Sequence, residues 1–274
     1  MDELGVLLLC GHGETSRFSV LSVRKEENGT DSEGTMERYP DIVELLEEVQ
    51  GDIEVISASY EKARNDEDQA KILRPKIKSC FEHLRSALEY SAQDIWRSYT
   101  KKQTSVYFPY GKTEEDFNRS LGKNLPALKE QAPNLFELVE ALQPHKCGSE
   151  WLYELCRHTN FNKHDRLSPQ KRENSSNSNT SLGCIVKNYG NATSSFTDCS
   201  YNGLPMAIGG TLEVSANRRV SEIKKDLFVP IPVLREFDWV EFKIDGSLFD
   251  ILALIKTSHS EISKFTKELN DTLK

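Results

Sequence analysis

From Asp41 onward the apolar residues Ile42, Leu45, Leu46, Val49, Ile53, Ile56 and Tyr60 recur three or four positions apart, the period of a helix with one buried face. A second stripe follows Pro75, with Ile77, Phe81, Leu84, Leu88, Ala92, Ile95 and Tyr99. Proline suits a first helical turn, so the two segments read as an antiparallel helix pair. Thr113 with Asp116 three positions on predicts a short helix ending near Leu121, and residues 134–142 predict another, stopped by Pro144. A third principal helix opens near Ser149 and runs through Trp151 and Leu155 to about Leu167, ahead of Pro169. The last helix opens at Ser247, with Asp250 placed as a cap and Leu248, Ile251, Leu252, Ile255, Ile262, Phe265 and Leu269 on one face.

Between the third and last helices the period changes. Residues 173–181 read as a polar loop. After it come strand-like runs at 184–187, 211–214, 227–230 and 239–244, separated by glycine-rich turns. Residues 104–110 are also β-prone, although Pro109 limits them to an edge or an extended crossing. The fold class is therefore α+β, mainly α: an up-and-down helical bundle with a small antiparallel β module inserted before the last helix. Four segments follow, namely a leader or flexible arm at 1–35, a bundle at 36–172, a β insertion at 173–246 and a C-terminal bundle helix at 247–274. Within the leader, residues 17–23 alternate like a strand and residues 25–34 resemble a linker, so 1–35 is either a docking arm or an extension ahead of a start at Met36.

Composition narrows the setting. No apolar run approaches the roughly 20 residues that span a bilayer, and a cytoplasmic protein with no membrane contact is expected. The six cysteines (Cys10, Cys80, Cys147, Cys156, Cys184 and Cys199) form no C-x-x-C pair and read as free thiols. A net charge of −8 argues against a protein that coats nucleic acid non-specifically, so any such contact must be local. One local basic cluster exists, with Lys146, Arg157, Lys163, Arg166, Lys171 and Arg172 between His145 and Arg172.

That cluster contains a polar stripe. Seven helical steps fall about 20° short of two turns, so Arg157 and His164 share a face roughly 10 Å apart along the axis, with Asn160 between them. A fixed cation, an amide and a group that exchanges protons near neutral pH suit metal-free phosphodiester cleavage. The same residues equally suit crosslinks within a bundle or a solvated face. His145-x-Cys147 and Cys156-x-His158 offer zinc-type ligands, but Cys156 and His158 point about 200° apart on a helix. No metal and no cofactor is expected.

Arg157-His158 followed by His164 resembles the shared motif of the HEPN superfamily (higher eukaryotes and prokaryotes nucleotide-binding), in which arginine and histidine are separated by four to six residues. The segments 81–90, 142–145, 151–155 and 160–164 are also similar to a group of uncharacterised bacterial and phage proteins with a β segment before the final helix. The resemblance implies a metal-independent endoribonuclease acting on RNA as a homodimer, and a toxin or antiphage-defence effector with an antitoxin or defence-system partner. It implies that Arg157 and His164 are catalytic, His158 and Asn160 supporting, and Lys146, Lys163, Arg166, Lys171 and Arg172 contacts for RNA. A non-catalytic helical-bundle interaction subunit, an adaptor or regulatory partner, is the alternative.

Overall fold

The computed structural model describes residues 36–244 and 246–274. The readings of residues 1–35, as docking arm or extension, lie outside the described residues. Four long helices carry the fold: α1 (Tyr39–Arg64), α2 (Arg74–Tyr99), α7 (Trp151–His164) and α9 (Ile251–Thr272). Short helices α3 (Glu114–Asn124), α4 (Leu128–Gln131), α5 (Pro133–Ala141) and α6 (Pro144–Cys147) fill the connection between α2 and α7. The chain is α+β and mainly α, with its last helix following the strands. No helix among the described residues is long and apolar enough to cross a membrane.

The periodic residues build the core. Ile42, Leu46, Val49, Ile53, Ile56 and Tyr60 of α1 are buried together with Ile77, Phe81, Leu84, Leu88, Ala92 and Ile95 of α2. α9 packs against α1, α2 and α7, adding Ile251, Ile255, Ile262, Phe265 and Leu269. Each helix start follows local chemistry. Pro40 and Pro75 occupy first-turn positions, Thr113 Oγ1 accepts from the Asp116 N–H at 3.2 Å, and Asp250 Oδ1 accepts from the Ala253 N–H at 2.9 Å.

The third helix stops at His164, three residues short of the expected Leu167. The side chain of Asn162 is the cause: its buried Oδ1 accepts from both the N–H and the hydroxyl of Ser168 at 2.8 Å, drawing the chain back. Residues 104–110 are an extended crossing without a ladder. Their backbone groups pair with side chains, the Phe108 N–H donating to Glu89 (2.6 Å) and the Val106 carbonyl accepting from Gln93 (2.7 Å).

The β region differs from expectation in several places. It begins at β1 (Gln170–Asn174), which straddles the expected boundary between bundle and insertion at 172/173, and β1 pairs antiparallel with β9 (Val240–Ile244). The expected polar loop contains β2 (Ser178–Leu182), which lies between β3 (Val186–Tyr189) and β8 (Val233–Phe237). β2 shows no apolar alternation because its inward residues Ser178 and Thr180 are polar, Thr180 being satisfied by Arg235 Nε at 3.1 Å. β4 (Thr193–Thr197) pairs with β7 (Thr211–Ser215), β5 (Ser200–Tyr201) pairs with β6 (Leu204–Pro205), and the expected strand at 227–230 forms only a bridge from Leu227 to Ala207. A helix, α8 (Val220–Asp226), lies between β7 and β8.

Among the described residues two apolar clusters result. Val240, Phe242 and Ile244 of β9 join the bundle core, where Phe242 meets Tyr60 edge-on at 5.2 Å. A second cluster gathers Leu182, Leu212, Val214, Ile223, Val233 and their neighbours. Buried Arg235 ties this module to the α1–α2 connection, donating to Glu67 (2.7 Å), to the Ser215 carbonyl (2.8 Å) and to the Arg218 carbonyl (2.5 Å).

Candidate functional site on the third bundle helix

α7 has one face built for the core and one that is not. Trp151, Leu152, Leu155, Cys156 and Thr159 are buried, while Asn160, Phe161, Lys163 and His164 are exposed and Tyr153 and Arg157 half-buried. Helical geometry puts Tyr153, Arg157, Asn160 and His164 within a narrow outward sector of about 40 to 60°. This is the polar stripe of the sequence. Its members nevertheless lean to different sides.

Arg157 turns toward the loop ahead of α9. Its Nη2 donates to Glu154 Oε2 (2.7 Å) and to the Gly246 carbonyl (3.2 Å), and lies 3.4 Å from His158 Nε2. Gly246 has a φ of +75°, so the turn that presents this carbonyl suits glycine. Asn160 leans the other way and donates its Nδ2 to the Tyr110 hydroxyl at 3.2 Å. His164 ends the helix with its ring exposed.

His158 does not lie on the stripe. Its side chain is 3% exposed, stacks on Phe81 at 6.2 Å and faces Glu154 Oε2 at 3.1 Å. Burial first, and then the charge of Arg157, push its pKa down to about 4 against the pull of Glu154. Burial also raises Glu154, but hydrogen bonds from Arg157 and Ser247 and the charge of Arg157 outweigh it, leaving the carboxyl below its usual range. The supporting role expected of His158, orienting the imidazole or holding phosphate, is therefore corrected. It is a neutral core histidine that packs α7 against Phe81 of α2 and pairs with Glu154 one turn earlier in its own helix.

On the opposite flank stands a second cluster. Arg85 of α2 bonds to Glu89 and to the Cys156 thiol, and its guanidinium lies 4.8 Å from the centre of the Tyr110 ring. Burial raises Glu89 more than Arg85 and the Phe108 N–H lower it. Lys112 sits over Tyr153 at 5.6 Å and pairs with Glu150 at 3.3 Å. Tyr110, Glu89 and Glu154 carry no motif in the sequence. The i, i+4 spacing of Arg85 and Glu89 on a helix was the available signal.

The basic residues do not form one patch. Lys146 lies on α6, before the N-terminus of α7, and pairs with Glu140 at 3.0 Å. Lys163 and Arg166 are exposed at the other end of α7, a helix roughly 20 Å long. Lys171 is exposed on β1 beside Glu173 at 3.1 Å. Arg172, expected to contact RNA, is a structural cation instead. It donates to the carbonyls of Ala63 (3.0 Å) in the last turn of α1 and of Asp66 (2.6 Å) and Gln69 (3.0 Å) in the connection after it, and packs 5.2 Å from the Phe237 ring.

Among the described residues no group of three or more His, Cys, Asp or Glu side chains could hold a metal ion. Cys156 is committed to Arg85 and His158 to Glu154, on different sides of α7. No protein-family model matches the chain, and neither a curated protein nor a solved structure shows significant similarity to it.

Proposed function

We propose that this protein is a metal-independent endoribonuclease of the HEPN type, working as a homodimer and serving as a growth-arresting toxin or antiphage-defence effector. The observation that carries the reading is the outward face of α7, where Arg157, Asn160 and the exposed His164 follow one another beside Lys163 and Arg166. His164 takes the proton of a ribose 2′-hydroxyl or returns one to the leaving 5′-oxygen, and Arg157 stabilises the charge that develops on phosphorus. Two such faces opposed across a symmetric interface give RNA a longer cationic track than one helix offers.

One observation favours a second reading, the non-catalytic interaction subunit. Glu154 lies 2.7 Å from the Arg157 guanidinium and offsets much of the charge a phosphate would meet. Induced expression in a bacterial host separates the two readings. The ribonuclease arrests growth and His164→Ala relieves the arrest at equal protein level. Growth unaffected by the wild-type chain favours the adaptor.

A further inference from the structure

Tyr110 reaches the α7 face from outside the helix, and its position is fixed on both sides. Its N–H donates to Ser120 Oγ at 3.3 Å, the next N–H, of Gly111, donates to Gln143 Oε1 at 3.3 Å, and the preceding carbonyl, of Pro109, accepts from Gln143 Nε2 at 3.2 Å. Gln143 is fully buried. A Cβ at Gly111 would lie 2.2 Å from the Phe117 nitrogen, so the chain passes α3 where only glycine fits. Such close packing delivers the phenol to a single place.

At that place the ring rests against the Arg85 guanidinium, and the phenol oxygen accepts from Asn160 Nδ2 at 3.2 Å. A phenol carries one proton to donate and accepts through its lone pairs. Asn160 occupies an acceptor position, and among the described residues the hydroxyl donates to no acceptor. Asn160 stands three positions after Arg157 and four before His164, so the unused proton borders the stripe. The flank around it is cationic at Arg85, Lys112 and Lys163 and anionic at Glu89 and Glu150, both of which are paired with cations. Burial holds the Tyr110 pKa above its usual value, against the opposing pull of Arg85 and Asn160, which keeps the proton in place.

We infer that Tyr110 is a further catalytic residue of this face, its phenol keeping its proton and donating a hydrogen bond to a non-bridging oxygen of the RNA phosphate, with Asn160 as the positioning residue that aims it. The inference rests on the ribonuclease reading. A fixed neutral donor suits an oxygen that gains charge in the transition state, because it needs no reorganisation as the reaction proceeds.

The test is RNA cleavage by the full chain carrying Tyr110→Phe, Asn160→Ala, both together, or His164→Ala. Tyr110→Phe should lower kcat roughly 100-fold with KM changed less than threefold, since the lost bond strengthens in the transition state. Asn160→Ala should lower kcat about tenfold, and the double variant should be no slower than Tyr110→Phe alone, because Asn160 acts through the phenol. Wild-type kcat in Tyr110→Phe, alongside an inactive His164→Ala, overturns the inference and leaves the ribonuclease reading standing. Absence of cleavage by the wild-type chain overturns both. Should Tyr110→Phe fold poorly, the exposed Asn160→Ala decides the matter, and an unchanged kcat there overturns the inference.

Discussion

His158 should make the fold acid-sensitive over a definable window. Its imidazole is held neutral in the native state, pushed down to about 4 by burial and by Arg157, whereas an unfolded chain restores a value near 6.5. Below pH 6.5 the unfolded state therefore binds a proton that the folded state refuses, and stability falls as the pH drops from 6.5 through 4. The side chain is 3% exposed, so solvent screening removes little of the effect. The loss amounts to about 2 kcal/mol at pH 5 and about 3 kcal/mol at pH 4 relative to pH 8. Glu154, whose carboxyl is held below its usual range, contributes a further loss only as the pH falls below about 4.5. Urea unfolding at pH 8, 6.5, 5 and 4 measures the slope in wild type and in His158→Gln, a neutral replacement able to keep a bond to Glu154. The variant should start less stable at pH 8 and lose about 2 kcal/mol less than wild type between pH 8 and 5. Equal slopes in the two proteins, or a His158 ring that titrates near 6.5 by NMR in the folded protein, would show that His158 is not the source of the acid sensitivity.

Arg172→Ala should destabilise the fold by about 2 kcal/mol in urea unfolding, because three carbonyls, one in the last turn of α1 and two in the α1–α2 connection, lose a charged donor. Lys171→Ala, one position away and exposed, should change stability by less than about 0.5 kcal/mol, and similar losses for the two would remove the structural role of Arg172. Arg235→Met should cost about 3 to 5 kcal/mol, since it leaves Glu67 without its cation and the Ser215 and Arg218 carbonyls without a donor. A loss under about 1 kcal/mol would show that the β module is held by its apolar cluster alone. Sedimentation at micromolar concentration should give a dimer, and a strict monomer would contradict a site made of two opposed α7 faces.

The helices were legible because burial of one face imposes a period that a sequence displays directly. Ile42 to Tyr60 and Ile77 to Ile95 are buried where their spacing places them. The β region was less legible, since β2 turns Ser178 and Thr180 inward and satisfies Thr180 through a guanidinium some fifty residues away in the chain. The end of α7 was missed for a similar reason, the cap being a side chain inside the helix rather than a glycine or proline beyond it. In the candidate site, the spacing of Arg157 and His164 was readable, but the direction each side chain takes was not. Glu154 draws Arg157 toward Gly246, and Tyr110 claims Asn160 from an extended segment fifty residues earlier in the chain. Those directions depend on tertiary neighbours, to which helical periodicity is blind.

The central claim is that the outward face of α7 cleaves RNA without a metal. Its most direct measurement is incubation of the purified chain with an end-labelled RNA in EDTA, followed by mass spectrometry of the product ends. The wild-type chain should leave 2′,3′-cyclic phosphate or derived 3′-phosphate termini and His164→Ala none, with the variant's fold kept because an exposed imidazole adds little stability. Intact RNA with the wild-type chain, cleavage that requires magnesium, or equal cleavage by His164→Ala would contradict the claim.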